Sequence, residues 1–213
     1  MTRATRFTTA ALAFEGGLGL LAAVLGWLLG HCPWESMHGR SAGELGNAFL
    51  WGVAATVPMV LALFWMDRWP VGPLAPMKQF VQRQVVPLFA DLSVGQLALL
   101  SLGAGIGEEL LFRGLLQAGI SEWIGSPPGV LVGLIAASVI FGVCHWLTAL
   151  YALLATIVGV YLGGLFVASG SLLTPIVAHA LYDFVALVYL VGKSRESAAS
   201  PESGVERPDP EPN

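Results

Sequence analysis

Long apolar stretches alternate with short polar segments along most of the chain, and this pattern predicts membrane-spanning helices. A helix needs about 20 apolar residues to cross a bilayer. Six stretches approach that length, at roughly 8–30, 48–66, 93–119, 129–147, 149–168 and 172–192. We therefore expect an all-α, polytopic transmembrane helix bundle of about six spans, which forms a single membrane domain over residues 1–192.

The polar segment between the second and third stretches, residues 67–92, is interrupted by four prolines. Within it, apolar residues such as Phe80 and Leu88 alternate with basic and amide side chains, a spacing that suits a short helix lying in the membrane interface. We place that helix near 78–90. Residues 193–213 are rich in Ser, Pro and Glu, which is typical of a disordered tail.

Composition supports the membrane interpretation. Of the 213 residues, 55% are hydrophobic and only 11% are charged, whereas a soluble domain carries about 25% charged residues. Such a chain cannot cover a surface that faces water, so its surroundings are largely the lipid bilayer. The net charge of -4 is of little use, because several of the acids lie in the C-terminal tail. The lack of a basic surface argues against a nucleic-acid partner.

The basic residues indicate an orientation. They concentrate before the first span, between the second and third, and after the last, whereas the other short connections contain only Arg40. Because Lys and Arg are enriched in cytoplasmic loops, we expect both termini to be cytoplasmic, in a plasma or inner membrane. The residues that carry this pattern are Arg3, Arg6, Arg68, Lys78, Arg83, Lys193 and Arg195.

A few ionisable residues lie inside the later apolar stretches, where each charge costs about 2.5–3.5 kcal/mol at the centre of a span. To avoid that cost, they must face one another or a water-filled cavity. Their spacing of four places pairs on one face of each of three helices. The pairs are Glu109 with Arg113, Phe141 with His145, and His179 with Asp183, while Glu108 points about 100° away from Glu109.

A carboxylate and two imidazoles around such a cavity can activate water. Glu108 is the candidate general base, and the histidines are candidates to bind a metal, hold the water or stabilise an oxyanion. Each residue also has a structural interpretation. We favour such a role for Arg113, as the ion-pair partner of Glu109, and a single intramembrane histidine often only hydrogen-bonds a neighbouring helix.

The three pairs also match known motifs. Residues 108–114, Glu-Glu-Leu-Leu-Phe-Arg-Gly, resemble the EExxxR motif of the CPBP family, which comprises the CAAX proteases and bacteriocin-processing (Abi) intramembrane proteases. Residues 141–145 resemble its FxxxH motif, and residues 179–183 resemble its HxxxN/D motif. The resemblance covers the motif core, roughly 93–192, and leaves the first two spans without a motif.

The resemblance implies an intramembrane endopeptidase that acts on a peptide or membrane-protein substrate. Glu108 would activate water, His145 would hold that water or a metal, and His179 and Asp183 would complete the catalytic set. Glu109, Arg113 and Phe141 would support it. The family is usually described as metalloproteases, so zinc or another divalent metal is a candidate cofactor, with His145, His179 and Glu108 as candidate ligands. A metal-free glutamate mechanism stays open.

The depth of Glu108 is difficult to reconcile with six regular spans. Glu108 is about fifteen residues into a span that starts on the inner side, whereas His145 is near the inner end of its own span. We therefore predict a helix break at Gly103, Gly105 and Gly107, with residues 93–102 as a separate or re-entrant segment.

Two further functions stay open at this point. The same fold can serve as a non-catalytic immunity or scaffold protein, whose function would survive Glu108→Gln. Buried acids and histidines also form proton or solute pathways in transporters. Inverted repeats would favour a transporter, and the sequence has no evident repeat.

Overall fold

The computed structural model describes residues 2–125 and 127–199, and within these ranges every regular element is a helix. The all-α prediction is confirmed. Seven helices of more than one turn follow one another: α1 (Arg3–Leu29), α2 (Ala42–Arg68), α3 (residues 74–89), α4 (Val94–Ile124), α5 (Pro128–Cys144), α6 (Ala149–Ser169) and α7 (Leu173–Ala199).

Five of these helices, α1, α2, α4, α6 and α7, are long and apolar enough to cross a membrane. Their outward faces are apolar as well, with large exposed side chains such as Leu20, Leu50 and Leu61. A soluble protein does not expose apolar area on this scale, so the chain is an integral membrane protein. Helix α3 corresponds to the short interfacial helix predicted near 78–90, and it begins a few residues earlier.

Serine and threonine side chains fix where several helices begin. Ser41 and Ser93 each form a capping box, with Glu44 at the start of α2 and Gln96 at the start of α4. The Thr148 hydroxyl accepts a hydrogen bond from the Tyr151 amide at the start of α6. These contacts satisfy amide groups that a helix leaves unpaired in its first turn.

The predicted break in the third span is wrong, because α4 is continuous from Val94 to Ile124. Its glycines serve close packing and do not interrupt the helix. A Cβ atom on Gly105 would lie 2.8 Å from the Ala180 Cβ of α7, and one on Gly107 would overlap the Glu15 carbonyl oxygen of α1. Small residues of this kind let membrane helices approach closely.

The short helix α5 resolves the depth problem instead. It has 17 residues and packs against the second half of α4, Leu110–Gln117 and Ala118–Ile124. The fourth of the six apolar stretches therefore forms a helix that ends at Cys144 and is not among the five candidate spans. It does not continue to 147 at the inner surface, as the sequence had suggested. Its C-terminal end lies beside the middle of α4, where Glu108 is found.

The boundary predicted for the disordered tail is also wrong, because α7 extends to Ala199. Polar contacts hold its last turns: Lys193 binds the Asp67 carboxylate of α2, and Arg195 donates hydrogen bonds to the carbonyl oxygens of Ala90 and Leu92. The remainder of the predicted tail lies outside the described residues.

The connection between α1 and α2, residues 31–41, packs over the second half of α4 and the start of α7. His31 Nε2 donates to the Gly114 carbonyl oxygen at 2.8 Å, and the Ser36 hydroxyl accepts from the Leu172 amide at 3.1 Å. Arg40 also donates to the Gly170 carbonyl. This connection covers one side of the helix bundle, which we call the loop side.

Candidate active site

The first part of the site is an ion pair within α4. Arg113 Nη1 lies 2.8 Å from Glu109 Oε1, and the two side chains are 1% and 0% exposed. Arg113 also donates to the Gly159 carbonyl of α6 at 3.1 Å and lies 4.6 Å from the centre of the Phe141 ring. Arg113 thus links three helices.

The helix changes geometry at this point, since residues Leu110–Gln117 are π-helical. Wide turns of this type are frequent at functional sites. Four residues beyond Arg113, the Gln117 side chain donates to the Gly163 carbonyl of α6 at 3.0 Å. A Cβ atom on Gly163 would approach Gln117 Oε1 to 2.5 Å, so this contact depends on glycine at position 163.

Both histidines are held through their Nδ1 atoms. His179 Nδ1 lies 2.8 Å from Glu109 Oε1, which also accepts from Arg113, and His145 Nδ1 lies 2.8 Å from the Phe141 carbonyl oxygen. A carbonyl or an ionised carboxylate oxygen only accepts, so each Nδ1 carries the proton. In their neutral forms the two rings therefore present an Nε2 lone pair.

These two Nε2 atoms face the same carboxylate oxygen. Glu108 Oε2 lies 3.7 Å from His145 Nε2 and 3.9 Å from His179 Nε2. Both distances exceed hydrogen-bonding range, and this buried oxygen has no hydrogen-bond partner. Since three acceptor groups surround one small space, that space suits a water molecule that donates protons, or a cation.

Asp183 also lies beside His179, with Oδ2 3.5 Å from the same Nε2 atom. Its side chain is 30% exposed, that of His145 is 29% exposed, and that of Glu108 is only 10% exposed. Asp183 is one turn further than His179 from the loop side, which residues 31–41 cover. The site is therefore more accessible from the side on which α4 begins.

The donors also fit a metal ion. Two imidazoles and a carboxylate are a ligand set used by zinc, and the Nδ1 hydrogen bonds to Glu109 and Phe141 are the contacts that typically orient such ligands. Among the described residues, a group of three potential metal ligands with atoms within 4.8 Å of one another lies outside this site. It comprises Cys32, Glu35 and His38, in the connection between α1 and α2.

The structure brings together all seven residues that the sequence singled out. Phe141 lies at the centre of the supporting contacts, since its ring is 4.3 Å from that of His145 and 6.0 Å from that of His179. The catalytic and supporting roles assigned to these residues remain predictions.

Two residues escaped the sequence analysis. Glu15 of α1 lies close enough to His179 and Asp183 to interact electrostatically with them, and Gln117 ties α4 to α6. The signal for Glu15 was present, because it is a single carboxylate in the middle of the first apolar stretch. All three motifs lie after Ser93, so none of them points to Glu15.

Comparison with known proteins agrees with these motifs. Residues 90–185 match the family described as Rce1-like, type II CAAX prenyl endopeptidase Rce1-like. The suspected relationship to the CAAX proteases is thereby confirmed, and the matched segment contains every motif residue. No curated protein and no solved structure matches the chain.

Proposed function

We propose that this protein is an intramembrane endopeptidase in which Glu108 activates a water molecule beside His145 and His179. The observation that carries the proposal is the unpaired, buried Glu108 oxygen, which two histidine Nε2 atoms face at 3.7 and 3.9 Å. A purely structural ion pair would bring these groups into direct contact. Here both separations exceed direct contact, which supports a role for the three groups in holding a small reactant such as water.

In the proposed reaction, the water molecule gives a proton to the Glu108 carboxylate as its oxygen attacks the carbonyl carbon of the peptide bond. A histidine in its protonated form donates a hydrogen bond from Nε2 and stabilises the negative charge on the carbonyl oxygen. The C–N bond then breaks, and Glu108 returns the proton to the leaving amine. Water is consumed, and a carboxylic acid and an amine are formed, which exchange a proton to become a carboxylate and an ammonium group.

Glu109 and Arg113 act as supporting groups in this scheme. Glu109 accepts from His179 Nδ1 and thereby directs Nε2 towards Glu108. Arg113 compensates the charge of Glu109, since both side chains are fully buried. Asp183 completes the set beside His179. An ionised Asp183 only accepts, so it orients His179 or a metal ligand sphere and does not itself donate to an oxyanion.

We further propose that His145, His179 and Glu108 are the groups that would hold a divalent metal such as zinc. A bound zinc ion would supply Lewis acidity and would lower the pKa of a water molecule on it. Metal analysis of the purified protein separates the two routes. Stoichiometric zinc that is lost in His145→Ala supports a metalloprotease, and full cleavage by metal-free protein supports the glutamate mechanism.

The proposed substrate is a peptide or membrane protein that is cut close to the inner face of a plasma or inner membrane, as in CAAX-type or bacteriocin processing. Two observations support this location. The site is more exposed on the side on which α4 begins, and the basic residues of the chain concentrate on that same side. With both termini cytoplasmic, that side is the cytoplasmic one.

Mass spectrometry of peptide termini provides the test. Membranes from cells that produce the intact chain are compared with membranes that contain Glu108→Gln or His145→Ala at equal levels of inserted protein. We expect new termini with the intact chain and none with either variant. Undiminished cleavage by both variants would reject the proposal, and Glu122→Gln is a matched control because this exposed carboxylate pairs with His31 on the loop side.

A further inference from the structure

The connection between α1 and α2 brings together three side chains of metal-binding type, outside the proposed active site. Cys32, Glu35 and His38 occupy every third position of this segment. One potential ligand atom from each of them lies within 4.8 Å of the other two. Cys32 is a free cysteine, so its sulfur is available to bind a metal as the thiolate.

The backbone of this segment explains why the three side chains converge. Residues Glu35–Met37 form a 3-10 helix. The Glu35 amide donates to the Cys32 carbonyl oxygen, and the His38 amide donates to the Glu35 carbonyl oxygen, each at 3.0 Å. Because such a helix has about three residues per turn, side chains three positions apart eclipse one another. Two successive turns therefore place Cys32, Glu35 and His38 on one face.

The spacing of the ligand atoms suits a zinc ion. His38 Nδ1 lies 3.4 Å from Glu35 Oε2, and a tetrahedral zinc ion holds a nitrogen and an oxygen ligand about 3.4 Å apart. A thiolate sulfur and an imidazole nitrogen on zinc are about 3.6 Å apart, so an adjustment of about 1 Å brings the Cys32 sulfur into the same coordination sphere. Thiolate and imidazole ligands favour zinc, whereas magnesium and calcium prefer oxygen ligands.

Contacts with the helix bundle hold this segment in place before any ion binds. Pro33 is buried, and it packs so closely on α4 that a Cβ atom on Gly114 would overlap its carbonyl oxygen. The Ser36 hydroxyl accepts from the Leu172 amide at 3.1 Å, and the Ser36 carbonyl oxygen accepts from Arg40 Nε at 2.6 Å. A site that is already ordered loses less conformational entropy when its ligand binds.

We propose that Cys32, Glu35 and His38 bind a zinc ion, with a water molecule in the fourth position. The Glu35 and His38 side chains are 71% and 58% exposed, so a hydrated ion reaches them directly from solvent. With both termini cytoplasmic, α1 crosses the membrane before this connection, and the site takes zinc from the opposite side. The bound ion fastens the connection that covers the loop side. This site is separate from Glu108 and does not depend on the proposed hydrolysis.

Titration with Co²⁺ distinguishes this site from the one at Glu108. A cobalt ion bound to a thiolate absorbs in the near ultraviolet through sulfur-to-metal charge transfer. The candidate ligands Glu108, His145 and His179 include no thiol, so cobalt bound to them does not produce this absorption band. We expect the detergent-solubilised full chain, with its thiols reduced, to develop the band with stoichiometric Co²⁺ and to lose it when Zn²⁺ displaces the cobalt.

Cys32→Ser should abolish the band, whereas the matched control Cys144→Ser, in α5, should retain it. Glu35→Gln and His38→Ala should each weaken cobalt binding about 10-fold or more, because even the outer contacts of a metal site contribute about 10–100-fold to affinity. These two variants keep the test decisive if Cys32→Ser does not fold. The proposal is overturned if the intact chain gives no band or if the band survives Cys32→Ser. It is also overturned if both Glu35→Gln and His38→Ala titrate like the intact chain, since the thiol alone would then bind the ion.

Discussion

Replacement of Arg113 by methionine tests the supporting part of the site most sharply. Methionine keeps much of the length and apolar volume of the side chain but removes the guanidinium. The change breaks the 2.8 Å contact with Glu109 and the 3.1 Å hydrogen bond to the Gly159 carbonyl. It leaves the fully buried Glu109 carboxylate with His179 as its single remaining partner.

The expected cost follows from the burial of both partners, which are 1% and 0% exposed. Removing one partner of a buried ion pair typically destabilises a protein by about 3–5 kcal/mol, because an uncompensated charge is left behind. For a chain of this size, 1 kcal/mol corresponds to roughly 2–4 °C in Tm. We therefore expect Tm to fall by about 6–20 °C.

A second substitution separates the charge effect from lost packing. Arg113→Met combined with Glu109→Gln removes both charges, and the glutamine oxygen can still accept from His179 Nδ1. We expect the double variant to recover about 0.5–3 kcal/mol relative to the single one, the interaction energy typical of neighbours in one network.

Thermal unfolding of the purified chain in detergent micelles provides the measurement, with Glu122→Gln as the control for loss of an exposed ion pair. Glu122 is 74% exposed, and surface pairs contribute little. A drop in Tm for Arg113→Met no larger than that for Glu122→Gln would refute a buried, charge-dependent role for Arg113. It is also refuted if the double variant is the less stable of the two.

Two further predictions concern packing and the end of the bundle. Gly107→Ala should lower Tm, because the added Cβ atom would overlap the Glu15 carbonyl oxygen. We expect a destabilisation of about 1–3 kcal/mol from overpacking. The control Gly16→Ala places its Cβ atom in open space and should leave Tm nearly unchanged. Asp67→Asn should weaken the contacts that hold α3 to α2 and α7, so hydrogen exchange of the α3 amides should accelerate; unchanged α3 exchange would contradict this.

The apolar pattern was sufficient to predict most of the helices, because a bilayer imposes a minimum length on every span. The pattern predicted too long a helix in the fourth stretch, since residues 129–147 are apolar but α5 ends at Cys144. Nothing in that composition distinguishes a full crossing from a helix that stops beside Glu108. His145 caps the last turn through its contact with the Phe141 carbonyl oxygen, and its place beside Glu108 depends on how α4 and α5 pack together.

The glycines of α4 show a second limit of the sequence. The sequence allows two roles for Gly103, Gly105 and Gly107, a helix break or a surface for close packing. Only the positions of α1 and α7 decide between these alternatives. Glu15 illustrates the reverse case. Its cost in an apolar span was visible in the sequence, but its neighbours Asp183 and His179 are more than 160 residues away along the chain.

The central claim is that Glu108 activates water for peptide-bond hydrolysis. Its most direct test is the count of new peptide termini in membranes that contain equal amounts of the intact chain or of Glu108→Gln, a substitution that preserves size and removes the basic carboxylate. We expect new termini with the intact chain, near the cytoplasmic ends of membrane segments, and none with Glu108→Gln. An equal set of termini from both proteins would contradict it.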